Sequence, residues 1–185
     1  MGRGSPPVRL PKARGEPQDV SMAALSHYSF TSVWRVPADP DDLFEVLSDI
    51  GDYPAWWPEV KQVVRLGERS VSARIRSFLP YDLDLEMEQV VSDRAARVLE
   101  VQMTGDLEGF SRWTLSRSGG DTRLLFEEEV EATKKLLVRF APVARPAFKL
   151  NHSFMMRHGE AGLRTYMAGF RRASESRRTE DASDQ

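Results

Sequence analysis

Asn151–Phe170 reads NHSFMMRHGEAGLRTYMAGF. At about 100° per residue, Phe148, His152, Met155, Gly159, Gly162, Leu163, Tyr166 and Phe170 share one helical face, with Asn151 bordering it. The stretch nevertheless contains three glycines, and each interior glycine costs about 1 kcal/mol relative to alanine. Something other than helix propensity favours them. The expectation is a helix that walls an internal cavity and turns its small and polar residues toward whatever fills it. Gly159 and Gly162 either allow the helix to approach the rest of the fold closely or leave room for a ligand.

The residues before this helix supply a sheet. His27 to Val36 places Tyr28, Phe30, Trp34 and Val36 on one side with period two, which predicts a strand. A helix follows, with Asp39 as N-cap, Pro40 in its first turn, Leu43, Val46, Leu47 and Ile50 as its apolar stripe and Gly51 beyond its end. DYPAWWP predicts a short aromatic helical turn closed by Pro58. Six alternating runs then succeed one another: Val60 to Leu66, Val71 to Leu79, Leu83 to Val91, Val98 to Met103, Phe110 to Ser116 and Thr122 to Ala132. Separated by turn residues, they predict an antiparallel meander. KKLLVRFAP predicts a short helix or loop up to Pro142, and Pro146 opens the long final helix, which runs to about Phe170.

With 185 residues, the chain has room for one substantial core. Residues 26–172 are expected to form the domain, with disordered tails over 1–25 and 173–185, and translation starting at Met22 is an alternative reading of the first tail. A net charge of −2 gives no reason to expect nucleic acid as a partner. The chain has no cysteine, which excludes disulfides and thiolate chemistry. No apolar run suggests a signal peptide or a membrane span, so the expected location is the cytoplasm. Oligomeric state is not legible.

Strand, two short helices, six strands and one long helix define an α+β domain. That order, the WWPEV turn, the late strand with Trp113 and Leu115, and NHSFMMRHGEAGL in the last helix resemble the START and Bet v 1-like (SRPBCC) superfamily. Within it, residues 27–171 are similar to the bacterial polyketide cyclase/dehydrase and lipid-transport family. The resemblance implies a helix-grip fold, in which a curved seven-stranded antiparallel sheet wraps around the C-terminal helix. Carriers, sensors and enzymes share that fold, so it does not decide function.

Chemical motifs are scarce. His152 and His158 stand about 240° apart on one helix and cannot share a metal ion. No nucleophile elbow, P-loop or dinucleotide fingerprint occurs, and no cofactor is expected. What remains is a lining. If the apolar strand residues point inward, Gln89 and Glu128 turn inward with them, and a polar group that interrupts an apolar row needs a partner. The candidate ligand contacts are Trp57, Met87, Gln89, Met103, Trp113, Phe126, Glu128, Phe148, Asn151, His152 and Met155. Packing alone is the competing reading for each. His152 and Glu128 are the candidates for acid/base catalysis.

From Lys134 to Lys149 five basic residues and no acid alternate with apolar ones. Either they form a solvated face or they make transient membrane contact where a lipid enters. The leading expectation is a carrier or sensor that binds a hydrophobic small molecule such as a lipid or polyketide. An aromatase/cyclase-like enzyme and a protein-interaction module are the alternatives, the last predicting a collapsed interior and an exposed apolar patch.

Overall fold

The computed structural model describes residues 27–79, 81–133 and 135–183, with side chains of the last range described over 146–170. Strand β1 (His27–Val36) buries Tyr28, Trp34 and Val36 on one side, as its alternation demands. Helix α1 (Pro40–Ser48) starts where Asp39 accepts a hydrogen bond from the Asp41 backbone N–H at 2.9 Å. That bond, and then the Arg117 guanidinium 2.6 Å away, hold the Asp39 carboxyl below its ordinary range. Leu43, Phe44, Val46 and Leu47 face the core. Asp49 caps the next segment, a 3-10 helix over Ile50–Ala55, by accepting from the Gly51 N–H. Trp56 and Trp57 follow it.

Strands β2 (Val60–Arg65), β3 (Ser70–Ile75), β4 (Leu83–Asp93), β5 (Val98–Gly105), β6 (Leu107–Ser118) and β7 (Asp121–Ala132) form the meander. The sheet is curved, antiparallel and seven-stranded, in the order β1-β7-β6-β5-β4-β3-β2. Because β1 pairs with β7, the chain must return to its own start. Buried Thr122 secures that closure by donating its hydroxyl to the Ala38 carbonyl at 2.7 Å.

Several boundaries differ from expectation, and those of β3, β6 and the last helix differ most. β3 ends at Ile75, not Leu79, because its partner β4 begins opposite at Leu83. β6 begins at Leu107, ahead of the expected Phe110, because Gly109 is a strand residue here and not a break. At φ 149°, Gly109 lies under the Glu129 carbonyl, where a side chain would collide. The last helix, α2, is a single element over Lys135–Ser183. A proline removes one helical hydrogen bond and crowds the preceding turn, so Pro142 and Pro146 read as a stop and a start. The backbone carries on through both, and past residue 173 across the expected tail. The expected tail at 1–25 lies outside the described residues. Among the described residues no helix is long and apolar enough to cross a membrane.

The grip on α2 has two sides. On one, β1 is an edge strand whose outer backbone groups need partners. Glu160 accepts from the Arg35 N–H at 3.1 Å, and Arg164 donates to the Arg35 carbonyl at 2.7 Å. On the other, the aromatic turn presses against two glycines. A methyl group on Gly159 would meet the rings of Trp34 and Trp57, and one on Gly162 would strike the Trp56 carbonyl. Close approach is thus the role of both glycines. With no side chain at Gly159, Trp57 reaches past it to donate its indole N–H to the Met155 carbonyl at 3.1 Å. The buried stripe of α2 is Phe148, Asn151, Met156, Gly159, Leu163 and Met167. It lies slightly to one side of the predicted face, with Tyr166 and Phe170 at its margin.

Candidate functional site

Helix and sheet do not meet everywhere. Trp34, Leu124, Leu163 and Met167 are fully buried toward one end of the domain. Trp113 packs on Trp34 at 4.8 Å between ring centroids, and Trp57 does so at 5.5 Å. Trp57 and Trp113 also form part of the wall of a cavity of about 110 Å³. Its other walls are Phe30 of β1, Leu47 of α1, Tyr53 of the 3-10 helix, inward residues of β2 to β7 and the α2 residues between Phe148 and Met156. All eleven candidate ligand contacts lie on this wall.

The inward phase persists because of where the irregularities fall. β4 and β5 slip register between Gln89 and Val91, after Gln89 has taken its inward place. The extra residue, Val90, is exposed. Gln89 donates a long hydrogen bond, 3.4 Å, to the Ser48 carbonyl at the end of α1.

Most of the wall is apolar, with Met87, Met103, Met155 and Met156 as its flexible members. One cluster is polar. His152 Nε2 lies 2.9 Å from Glu128 Oε2, with the side chains 15% and 12% exposed. The imidazole stacks on Phe30 at 3.8 Å between centroids and 12° between planes, and Phe126 lies beyond at 6.2 Å. Held between a carboxylate and two rings, His152 has little rotational freedom. Asn151 is 5% exposed. Its amide nitrogen donates to the Met155 sulfur at 3.4 Å, and its Oδ1 is buried without a hydrogen-bond partner.

Among the wall residues that the sequence did not single out as ligand contacts, three bear on the chemistry of the site. Ser111 is buried and pairs in register with Glu128. It lies inside the expected strand Phe110 to Ser116, and extending the phase of Trp113 back by two finds it. Phe30 belongs to the recognised face of β1 but was not connected with His152. Tyr53 is buried and donates its hydroxyl to the Leu47 carbonyl at 2.9 Å. Burial pushes its pKa well above the usual tyrosine range.

A second carboxylate–imidazole pair lies outside the cavity. Glu59, from the WWPEV turn, is 4% exposed, and its Oε1 lies 2.8 Å from His158 Nδ1. No group of three His, Asp or Glu side chains able to hold a metal ion occurs among the described residues. Of the Lys134–Lys149 stretch, the side chains up to residue 145 lie outside the described residues.

A sheet that encloses a cavity against a long helix, with a polar pair on an apolar wall, can be compared directly with known proteins. Residues 27–168 match the family described as polyketide cyclase / dehydrase and lipid transport. The chain belongs to that family. No curated protein shows significant sequence similarity to it. Among solved structures, a START superfamily protein from Mycobacterium smegmatis is 17% identical with a TM-score of 0.63, over 77% of this chain and 98% of the other. The Zhui aromatase/cyclase from Streptomyces sp. R1128 is 14% identical with a TM-score of 0.63, over 77% and 94%. Major latex-like protein 151 from Panax ginseng is 10% identical with a TM-score of 0.60, over 77% and 98%. At these identities the likeness establishes the fold of this family member and leaves its chemistry to its own side chains.

Proposed function

We propose that this chain binds a hydrophobic small molecule in the cavity between sheet and helix and acts as its carrier or sensor. The observation that carries the reading is an apolar cavity broken by one polar cluster, the usual composition of a small-molecule site. Affinity would come from burial, at roughly 25 cal/mol per Å² of apolar surface, and Gln89, Glu128, Asn151 and His152 would fix orientation. The open interior favours this reading over an interaction module, for which a collapsed one is expected. Mass spectrometry of whatever is released on denaturing natively purified protein tests it. A stoichiometric small organic molecule is the expected result. Empty protein from several expression conditions, with no apolar ligand quenching Trp57 or Trp113 fluorescence, would count against it.

The second reading is an aromatase/cyclase-like enzyme, and the Glu128–His152 pair is the observation that favours it. An imidazole backed by a carboxylate can accept a proton and be stabilised as imidazolium. The cavity would supply the remainder by holding a flexible chain in a reactive fold. Under this reading His152→Ala and Glu128→Gln lower turnover of a polyketide substrate at least about 100-fold while affinity changes little. A carrier would show altered affinity and no turnover to lose.

A further inference from the structure

Resting on the cavity reading above, the geometry points to a ligand class: a neutral, single-ring-sized molecule carrying a hydroxyl group, selected over its carboxylate counterpart. The first observation is the Asn151 Oδ1 atom. Buried acceptors are almost always satisfied, and this one, on a residue that lines the cavity, is not. The sense of the amide is fixed by Met155, whose thioether only accepts, so the nitrogen faces the sulfur and the oxygen is left unpaired. The missing partner is therefore a donor.

The second observation is the charge of the surroundings. Beside Asn151 stand His152 and Glu128, and Ser111 lies across the strand pair from Glu128. No Lys or Arg lines the cavity among the described residues, and the one basic side chain, His152, already faces Glu128. A carboxylate ligand would add a second negative charge beside Glu128 in an apolar enclosure with no cation of its own, which is strongly unfavourable. A hydroxyl brings a donor for Asn151 and no charge. Gln89 and Tyr53, the other polar wall residues, are already engaged with the Ser48 and Leu47 carbonyls.

The third observation is size. An engineered apolar cavity of about 150 Å³ takes up benzene, and this one measures about 110 Å³. The cavity is smaller than that one, so a single ring is its upper size and enters as the flexible methionine side chains shift.

Equilibrium dialysis of the intact protein at about pH 7.5 against 4-propylphenol, propylbenzene and 4-propylbenzoate tests the inference. The expected result is that the phenol binds at least about ten-fold more tightly than either of the others, and that Asn151→Leu brings the phenol down to the level of propylbenzene. A benzoate that binds as well as the phenol, or propylbenzene that does so, overturns the selectivity while leaving the cavity reading intact. If none of the three binds, the single-ring inference is overturned, while the cavity reading is decided separately by what natively purified protein releases on denaturation. The wild-type comparison decides even if Asn151→Leu does not fold.

Discussion

His158 and Glu59 join α2 to the aromatic turn through a 2.8 Å contact between Nδ1 and Oε1. The two ends of this contact differ in exposure: the carboxylate is nearly inaccessible, whereas the imidazole side chain is 45% exposed. The second carboxylate oxygen, Oε2, is buried without a hydrogen-bond partner. Removing His158 therefore leaves a buried carboxylate with no counter-group, and that loss outweighs the worth of the contact itself. His158→Ala is expected to lower stability by about 1–3 kcal/mol. Adding Glu59→Gln to it should recover much of the loss. Urea unfolding of the two single variants and the double variant measures the coupling, and strictly additive effects would refute it.

Two glycines of the same helix should respond in opposite directions to alanine. At Gly162 the new methyl group meets the Trp56 backbone carbonyl, which cannot swing aside. The gain in helix propensity, about 1 kcal/mol, is overridden, and a net loss of about 2 kcal/mol or more is expected. Gly169 has open space around it, so Gly169→Ala should gain up to about 1 kcal/mol. Thermal melts of both variants against wild type check the pair.

Tyr53 and Tyr81 predict an alkaline limit to stability. Burial raises both pKa values, that of Tyr81 to about 12 with a smaller contribution from nearby Tyr28. In the unfolded chain tyrosine ionises near 10, so between that value and the folded pKa the unfolded state has lost protons that the native state keeps. The stabilisation is complete below about pH 10 and declines as pH rises toward the folded pKa. Tyr53→Phe should flatten the decline. At neutral pH it should cost about 1–2 kcal/mol, because the Leu47 carbonyl loses its donor. Guanidinium unfolding between about pH 8 and 11 reads both effects.

Filling the cavity should separate binding from folding. Ala73 is buried and lies on the wall, so Ala73→Leu extends apolar side chain into empty volume. Stability should be unchanged or higher, while affinity for 4-propylphenol falls at least about ten-fold. Unchanged affinity would show that the ligand binds elsewhere.

Strands were legible where alternation was uninterrupted: β1 has the bounds its pattern predicts, and Gln89 points inward because its bulge comes one step later. Punctuation misled where tertiary structure overrode it, at Gly109 inside β6 and at the two prolines inside α2. The cavity wall was legible as a phase, since one face of a strand is fixed once any residue on it is placed. The pairings made on that wall were not. Nothing local to Glu128 marks His152 as its partner, and Glu59 looks like a surface acid after a proline until the fold brings His158 to it. The unpaired oxygen of Asn151 depends on which way an amide turns, which no residue pattern encodes.

The pairing of β1 with β7 bears on how the protein is made. During synthesis β1 leaves the ribosome first, yet Val36 must wait for Thr122, and His27 for Glu131, before its ladder exists. Hairpins from β2 onward can form as they emerge, each exposing an unshielded apolar face until the chain ends meet. Such long-range closure slows folding to the millisecond-to-second range. Until it is complete, the exposed apolar face and unpaired strand edges favour aggregation.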